Sequence, residues 1–138
     1  MPLRVGIVGL VHGHVQGFLD HSLHNAAIEI VGIAEPDQSL ASSYASRYHL
    51  DSSLLFRDLE DMLARKHPQA VLVYTNTFDH RRVVEICARH GVHVMMEKPL
   101  AVSLADAMAI KKAADAGEIQ VLVNYETTWY PSNRAAYD

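Results

Sequence analysis

The hydrophobic positions of this chain fall into short, nearly continuous apolar runs, separated by stretches where apolar residues recur every third or fourth place. "LRVGIVGL", "AIEIVGIAE", "SLLF", "AVLVYT", "VHVMM" and "IQVLVN" belong to the first kind and predict strands. The intervening stretches predict helices. From His14 to about Asn25, Val15, Phe18, Leu19 and Leu23 fall near one face. In "DQSLASSYASRYHL", Leu40, Tyr44 and Tyr48 share a face, with Asp37 or Ser39 available as the cap. Asp58 caps a stripe of Leu59, Met62 and Leu63 that stops before Pro68. A helix from about Phe78 to His90 ends at Gly91, the residue type that best tolerates a left-handed C′ conformation. Ser103 and Asp106 resemble a capping box before "LADAMAIKKAADA", which Gly117 ends.

Strands that alternate with helices require crossovers between parallel neighbours. Strands without polar alternation are buried on both faces, as in a parallel sheet covered by helices. The pattern therefore predicts an α/β fold with a doubly wound, mainly parallel, Rossmann-type sheet of about six strands. That unit spans residues 1–123. The segment 124–138 reads differently: Trp129 and Tyr130 precede Pro131, and a helix begins near Ser132 just before the chain stops. A helix that short is marginal alone, so this segment is expected to cross into a second domain absent from the chain.

Composition narrows the function classes. A length of 138 residues fits one domain. With a net charge of −4 and scattered Lys and Arg there is no basic stripe for nucleic acid. No apolar run approaches the roughly 18 residues of a membrane span. The single cysteine, Cys87, excludes an internal disulfide and agrees with a reducing compartment. The N-terminus has neither a charged n-region nor a cleavage motif. A cytoplasmic protein without nucleic-acid or membrane partners is expected.

In a doubly wound sheet, ligands bind beyond the carboxyl ends of the strands, so the turn after the first strand is the place to look. "GLVHGH" places Gly9 at the first glycine of a G-x-G-x-x-G fingerprint. Val11 replaces the second, Gly13 sits one residue before the third, and His14 occupies the third place. Val11 interferes with a pyrophosphate only if its side chain points at the ligand. The loop still leads into a helix N-terminus, whose free N–H groups suit a phosphate. An acid that binds ribose hydroxyls is expected at the end of the second strand, where Glu35 stands. A carboxylate there would repel a 2′-phosphate, which favours NAD over NADP. His12 and His14 also form an H-x-H pair; a metal would need further ligands, for which Asp79 and His80 are the obvious choices. The expectation is that the two histidines line the loop without a metal.

"GVHVMMEKPLAVS" resembles the glucose–fructose oxidoreductase, inositol dehydrogenase and MocA-like family, whose fifth strand ends in the E-K-P signature matched by Glu97, Lys98 and Pro99. "YTNTFDH" is similar to that family's A-T-P-N-x-x-H segment, with Thr75, Thr77 and His80 at its Thr, Asn and His positions and Asn76 in place of its proline. "VNYETTWYP" resembles the segment after the sixth strand, with Thr128 where the family usually has Arg. The resemblance implies the dinucleotide domain of a two-domain NAD(P)-dependent oxidoreductase acting on sugars, cyclitols or related polyols. It implies Lys98 as the catalytic residue, bonded to the reacting hydroxyl, and an NAD site built from Gly9, Val11, His12, Gly13, His14, Glu35, Thr75, Asn76, Thr77, His80, Glu97, Lys98, Pro99 and Trp129. Pro99 would stiffen the turn that presents Lys98, through a cis bond. The missing second domain would supply the general base, much of the substrate pocket and commonly a homo-oligomer interface, so the fragment alone is not expected to be active. Two other readings stay open: a non-catalytic nucleotide-sensing module on the same fold, and a metal-dependent hydrolase using His12 and His14.

Overall fold

The computed structural model of the chain describes residues 1–125, 127 and 130–137. Its strands are β1 (Leu3–Val8), β2 (Ile28–Ala34), β3 (Leu55–Phe56), β4 (Ala70–Val73), β5 (His93–Glu97) and β6 (Val121–Asn124). They form a six-stranded sheet in the order β3-β2-β1-β4-β5-β6. Every pairing is parallel. The order reverses between β1 and β4, which is the crevice position of a doubly wound sheet.

Helices α1 (His14–Ser22) and α2 (Gln38–Tyr48) cover one face, and α3 (Leu59–Lys66), α4 (His80–Arg89) and α5 (Leu104–Ala116) the other. Strand side chains alternate between these layers. Ile7 and Ile33 pack with Val15, Leu19 and Tyr44 on the first face. Val71, Val94 and Met96 pack with Met62, Val84 and Ile110 on the second. The expected double cover fails at the β6 edge: Val121 and Val123 pack towards the second core, while Leu122 between them is 60% exposed.

The caps are local and legible. The Asp37 carboxylate accepts from the N–H groups of Ser39 and Leu40, Asp58 accepts from Asp61, and the Ser103 hydroxyl accepts from Asp106. Boundaries move where side chains compete for the backbone. α1 stops at Ser22 because Asn25 forms a turn, its side-chain oxygen accepting the Ala27 N–H at 2.9 Å. Most of "SLLF" is a 3-10 turn, Ser52–Leu54, started by the Asp51 carboxylate, so only Leu55 and Phe56 pair with β2. Another 3-10 turn, Thr77–Asp79, precedes α4. The last helix, α6 (Pro131–Tyr137), starts one residue before Ser132, on a proline that suits a first helical position. Gly91 takes the left-handed conformation with φ 66°, but Gly117 does not, at φ −88°. At the end of α5 it is Glu118 that turns left-handed, with φ 52°. Gly117 is needed for another reason: a Cβ there would lie 2.6 Å from the Ala88 carbonyl oxygen.

Candidate functional site

The turn after β1 is held from both sides. The Tyr74 N–H donates to the Val8 carbonyl at 2.8 Å, and the His12 N–H donates to the Tyr74 carbonyl at 3.0 Å. Gly9 sits at φ 78°, and a Cβ on it would lie 2.6 Å from Thr75 Cγ2 and 2.9 Å from the Thr75 nitrogen. Only glycine meets both demands. Val11 is 62% exposed and stands in the wall of the adjoining cleft, so its side chain points out of the turn. Gly13 is the N-cap of α1 at φ −58°, and a Cβ there would meet nothing within 4 Å. Its lack of a side chain leaves open the space in front of a helix start that has no acid in its first turn and whose His14 N–H reaches only the His12 imidazole, at 3.3 Å.

Beside this turn lies a cleft of about 390 Å³, lined among others by Gly9, Val11, Glu35, Arg57, Thr75, Asn76 and Arg82. Glu35 is only 4% exposed. Its Oε2 accepts the Leu10 N–H at 2.8 Å and its Oε1 accepts the Asp37 N–H at 2.9 Å. The Thr75 hydroxyl donates to the Asn76 carbonyl at 3.0 Å, and the Asn76 amide donates to Asp79 at 2.6 Å. Thr77, half-buried, opens the 3-10 turn.

Glu97 ends β5 opposite Asn124 of β6 and is 2% exposed. Its Oε1 lies 3.0 Å from His14 Nδ1 and accepts from the Asn124 amide at 3.0 Å, while Oε2 is buried without a partner. Burial pushes the Glu97 carboxyl up, but the hydrogen bonds of Asn124 and His14 and the nearby imidazoles together hold it below the usual carboxylate range. The Tyr74 phenol is raised, first by burial and then by the charge of Glu97. Lys98 and Pro99 follow on an exposed loop, joined by a cis peptide bond. Lys98 has no hydrogen-bond or ion-pair partner among the described residues. His80 is 1% exposed, with Nδ1 3.2 Å from the Leu100 carbonyl oxygen. It therefore sits beneath the loop that carries Lys98, away from the cleft wall. Trp129 and Thr128 lie outside the described residues.

The structure thus gathers Gly9, Val11, Glu35, Thr75 and Asn76 around one cleft, and His12, His14 and Glu97 into a cluster at the neighbouring strand end. Residues the sequence reading passed over belong here too: Asn124, Tyr74, Arg57 and Arg82. Asn124 carries the signal that singled out Glu35 and Glu97, a polar residue closing an apolar strand at its carboxyl end. Arg57 follows the "SLLF" run directly and carries the same signal, whereas Arg82, inside α4, carries none.

The profile described as "Oxidoreductase family, NAD-binding Rossmann fold" matches residues 3–125. A D-apiose dehydrogenase of Paraburkholderia graminis is 29% identical over 107 residues, which is 78% of this chain and 28% of that protein. A 4-carboxy-2-hydroxymuconate-6-semialdehyde dehydrogenase of Sphingobium is 33% identical over 107 residues, 78% of this chain and 33% of that one. The chain therefore spans about a third of the length of the curated relatives it matches. Among solved structures, an oxidoreductase from Agrobacterium radiobacter in complex with NAD+, L-tartaric acid and magnesium superposes with a TM-score of 0.86 at 21% identity, covering 98% of this chain and 39% of that one.

Proposed function

Because the chain belongs to the oxidoreductase family with an NAD-binding Rossmann fold, we propose that it is the dinucleotide-binding domain of an enzyme that moves hydride between a sugar, cyclitol or related polyol and NAD. One observation carries this reading: a cradle that only a glycine can form, a strand-end carboxylate and a lysine unpaired among the described residues stand along the carboxyl edge of one parallel sheet. The fit is chemical as well as topological. The N–H groups of Val11 and Gly13, ahead of α1, have no partner among the described residues, and the positive end of the helix dipole faces the same space, which suits a pyrophosphate. Val11 is exposed in the cleft wall rather than packed into the turn, so its side chain does not fill the space in front of Gly13.

Within this reading Gly9, Val11, His12, Gly13 and His14 surround the pyrophosphate, and Glu35 receives the ribose hydroxyls. Thr75, Asn76 and Thr77 form the floor between the two halves of the site. Glu97, Lys98 and Pro99 border the nicotinamide, with His80 holding their loop from below through Leu100. The bound cofactor supplies the hydride chemistry. Lys98 would hydrogen-bond the reacting hydroxyl and help to take up its proton. Residues 124–138 form the start of a crossover to a second domain, which would complete the substrate pocket. The share of the relatives' length that this chain leaves uncovered supports that division.

NAD is favoured over NADP because the Glu35 carboxylate, kept in place by two backbone donors, would repel a 2′-phosphate. Calorimetric titration of the chain with each cofactor tests both parts of the reading. Tighter binding of NAD is expected. Tighter binding of NADP would transfer the specificity to Arg57 and Arg82 in the same cleft, and binding of neither would overturn the dinucleotide site.

A further inference from the structure

His12 comes from the loop before α1, His14 is the first residue of α1 and Glu97 comes from the end of β5, yet one ligating atom from each lies within 4.8 Å of the others. The two imidazoles meet edge to face, their centroids 4.6 Å apart. His14 Nδ1 and Glu97 Oε1 are 3.0 Å apart. That is close to the roughly 3.3 Å between two ligand atoms held about 2.0–2.1 Å from a tetrahedral zinc ion. Two imidazoles and one carboxylate are the donor set of zinc sites that leave a fourth position open.

A hydrogen bond between His14 and Glu97 accounts for part of this arrangement and leaves two features unexplained. Glu97 is 2% exposed, and its Oε2 has no partner. A buried carboxylate oxygen is rarely left so. His12 makes a single contact through its ring nitrogens among the described residues, accepting the His14 N–H at 3.3 Å, beyond the ordinary range and easily exchanged for a metal–nitrogen bond. A divalent cation answers both. It would ligate the carboxylate and the two imidazoles, while Asn124 keeps its bond to Oε1 and orients the ligand, as outer partners of metal-bound carboxylates do. The half-exposed His14 side chain leaves the cluster open to solvent.

We propose that His12, His14 and Glu97 bind one Zn²⁺, with an open position for water or an oxygen of the substrate. The ion site stands independently of the dinucleotide reading; only the mention of substrate rests on it.

The test is calorimetric titration of the chelator-stripped chain with ZnCl₂, without nucleotide. One ion per chain is expected, at about micromolar affinity or tighter. His12→Ala, His14→Ala and Glu97→Gln should each weaken binding by at least about tenfold. Co²⁺ in place of zinc should give visible absorption bands that His14→Ala abolishes. If Glu97→Gln fails to fold by circular dichroism, the two histidine variants, which change residues outside the buried core, decide the matter. Absence of binding below millimolar zinc, or binding that both histidine variants leave unchanged, would overturn the site. Parallel NAD titrations of the unsubstituted chain separate the two readings: no zinc binding with intact NAD binding overturns the metal site alone, and zinc binding without NAD binding overturns the dinucleotide site alone.

Discussion

The Glu35 carboxylate accepts the Leu10 N–H at 2.8 Å, joining the end of β2 to the turn after β1 across 25 residues of chain. Its other oxygen accepts the Asp37 N–H, so one side chain braces two loops at the rim of the cleft. Glu35→Ala leaves two donors without this acceptor and should destabilise the chain by about 1–3 kcal/mol. Glu35→Gln keeps one acceptor oxygen and should recover part of that stability while losing the discrimination against NADP. Urea unfolding and paired cofactor titrations check the two effects separately. Equal stability of all three proteins would remove the bracing role.

Gly9 and Gly13 share one loop but answer to different constraints. Gly9→Ala forces a Cβ into Thr75 at a left-handed φ and should cost more than about 1–2 kcal/mol, with loss of cofactor binding. Gly13→Ala adds a methyl to open space at a right-handed φ, so the fold should be unaffected or slightly stabilised. A drop in NAD affinity for Gly13→Ala at unchanged melting temperature would show that the space in front of α1 belongs to the ligand.

Lys98 is exposed and unpaired among the described residues, so its removal should leave the fold intact. Lys98→Ala is expected to change the NAD dissociation constant by no more than about twofold, because the lysine is assigned to the substrate hydroxyl. In a polypeptide that includes the second domain, the same change should lower kcat by about 10²-fold or more. Unchanged turnover there would take Lys98 out of the chemistry.

Cys87 lies fully buried in the core between β5, α4 and α5, and burial pushes its thiol up to about 12. The reactive thiolate is therefore scarce at any ordinary pH. Alkylation of the native chain at pH 8 should be slow and should accelerate across the unfolding transition. Rapid labelling of the folded protein would show that this part of the core opens.

The start of α5 should give the chain an acid-sensitive element. The Ser103 hydroxyl, followed by Arg81, holds the Asp106 carboxyl below its usual range. A depressed carboxyl stabilises the folded state above its ordinary pKa of roughly 4, and that contribution fades as the pH falls through the lowered folded value. Ser103→Ala removes both the cap and the hydroxyl, costing about 1 kcal/mol at neutral pH. Denaturation measured from pH 7 to 3 should show the gap between the two proteins narrowing with acid. A constant gap would assign the whole effect to the cap.

Strand identity, helix caps and the parallel order were readable because each depends on neighbours in the chain: β-branched runs, an aspartate or serine before an apolar stripe, a glycine after it. The clearest departures came where that condition failed. Asn25 and Asp51 redirected the backbone through their own side chains, shortening α1 and replacing most of a strand. Gly117 ends α5 where the sequence put the stop, but what requires a glycine there is the Ala88 carbonyl of the neighbouring helix, which no local spacing records.

The sequence by itself determined a doubly wound sheet with Gly9, Glu35 and Lys98 along its carboxyl edge, because strand ends follow from the order of apolar runs. Tertiary structure alone decided where Val11 points, that Glu35 braces Leu10, that His80 lies buried under the Lys98 loop, and that Glu97 meets His14 and Asn124. It also replaced Asp79 and His80, the expected partners of the two histidines in any metal site, by Glu97. The reason is physical: periodicity encodes which face a residue occupies, whereas a meeting of loops across the switch point depends on strand order and register, which no local spacing records.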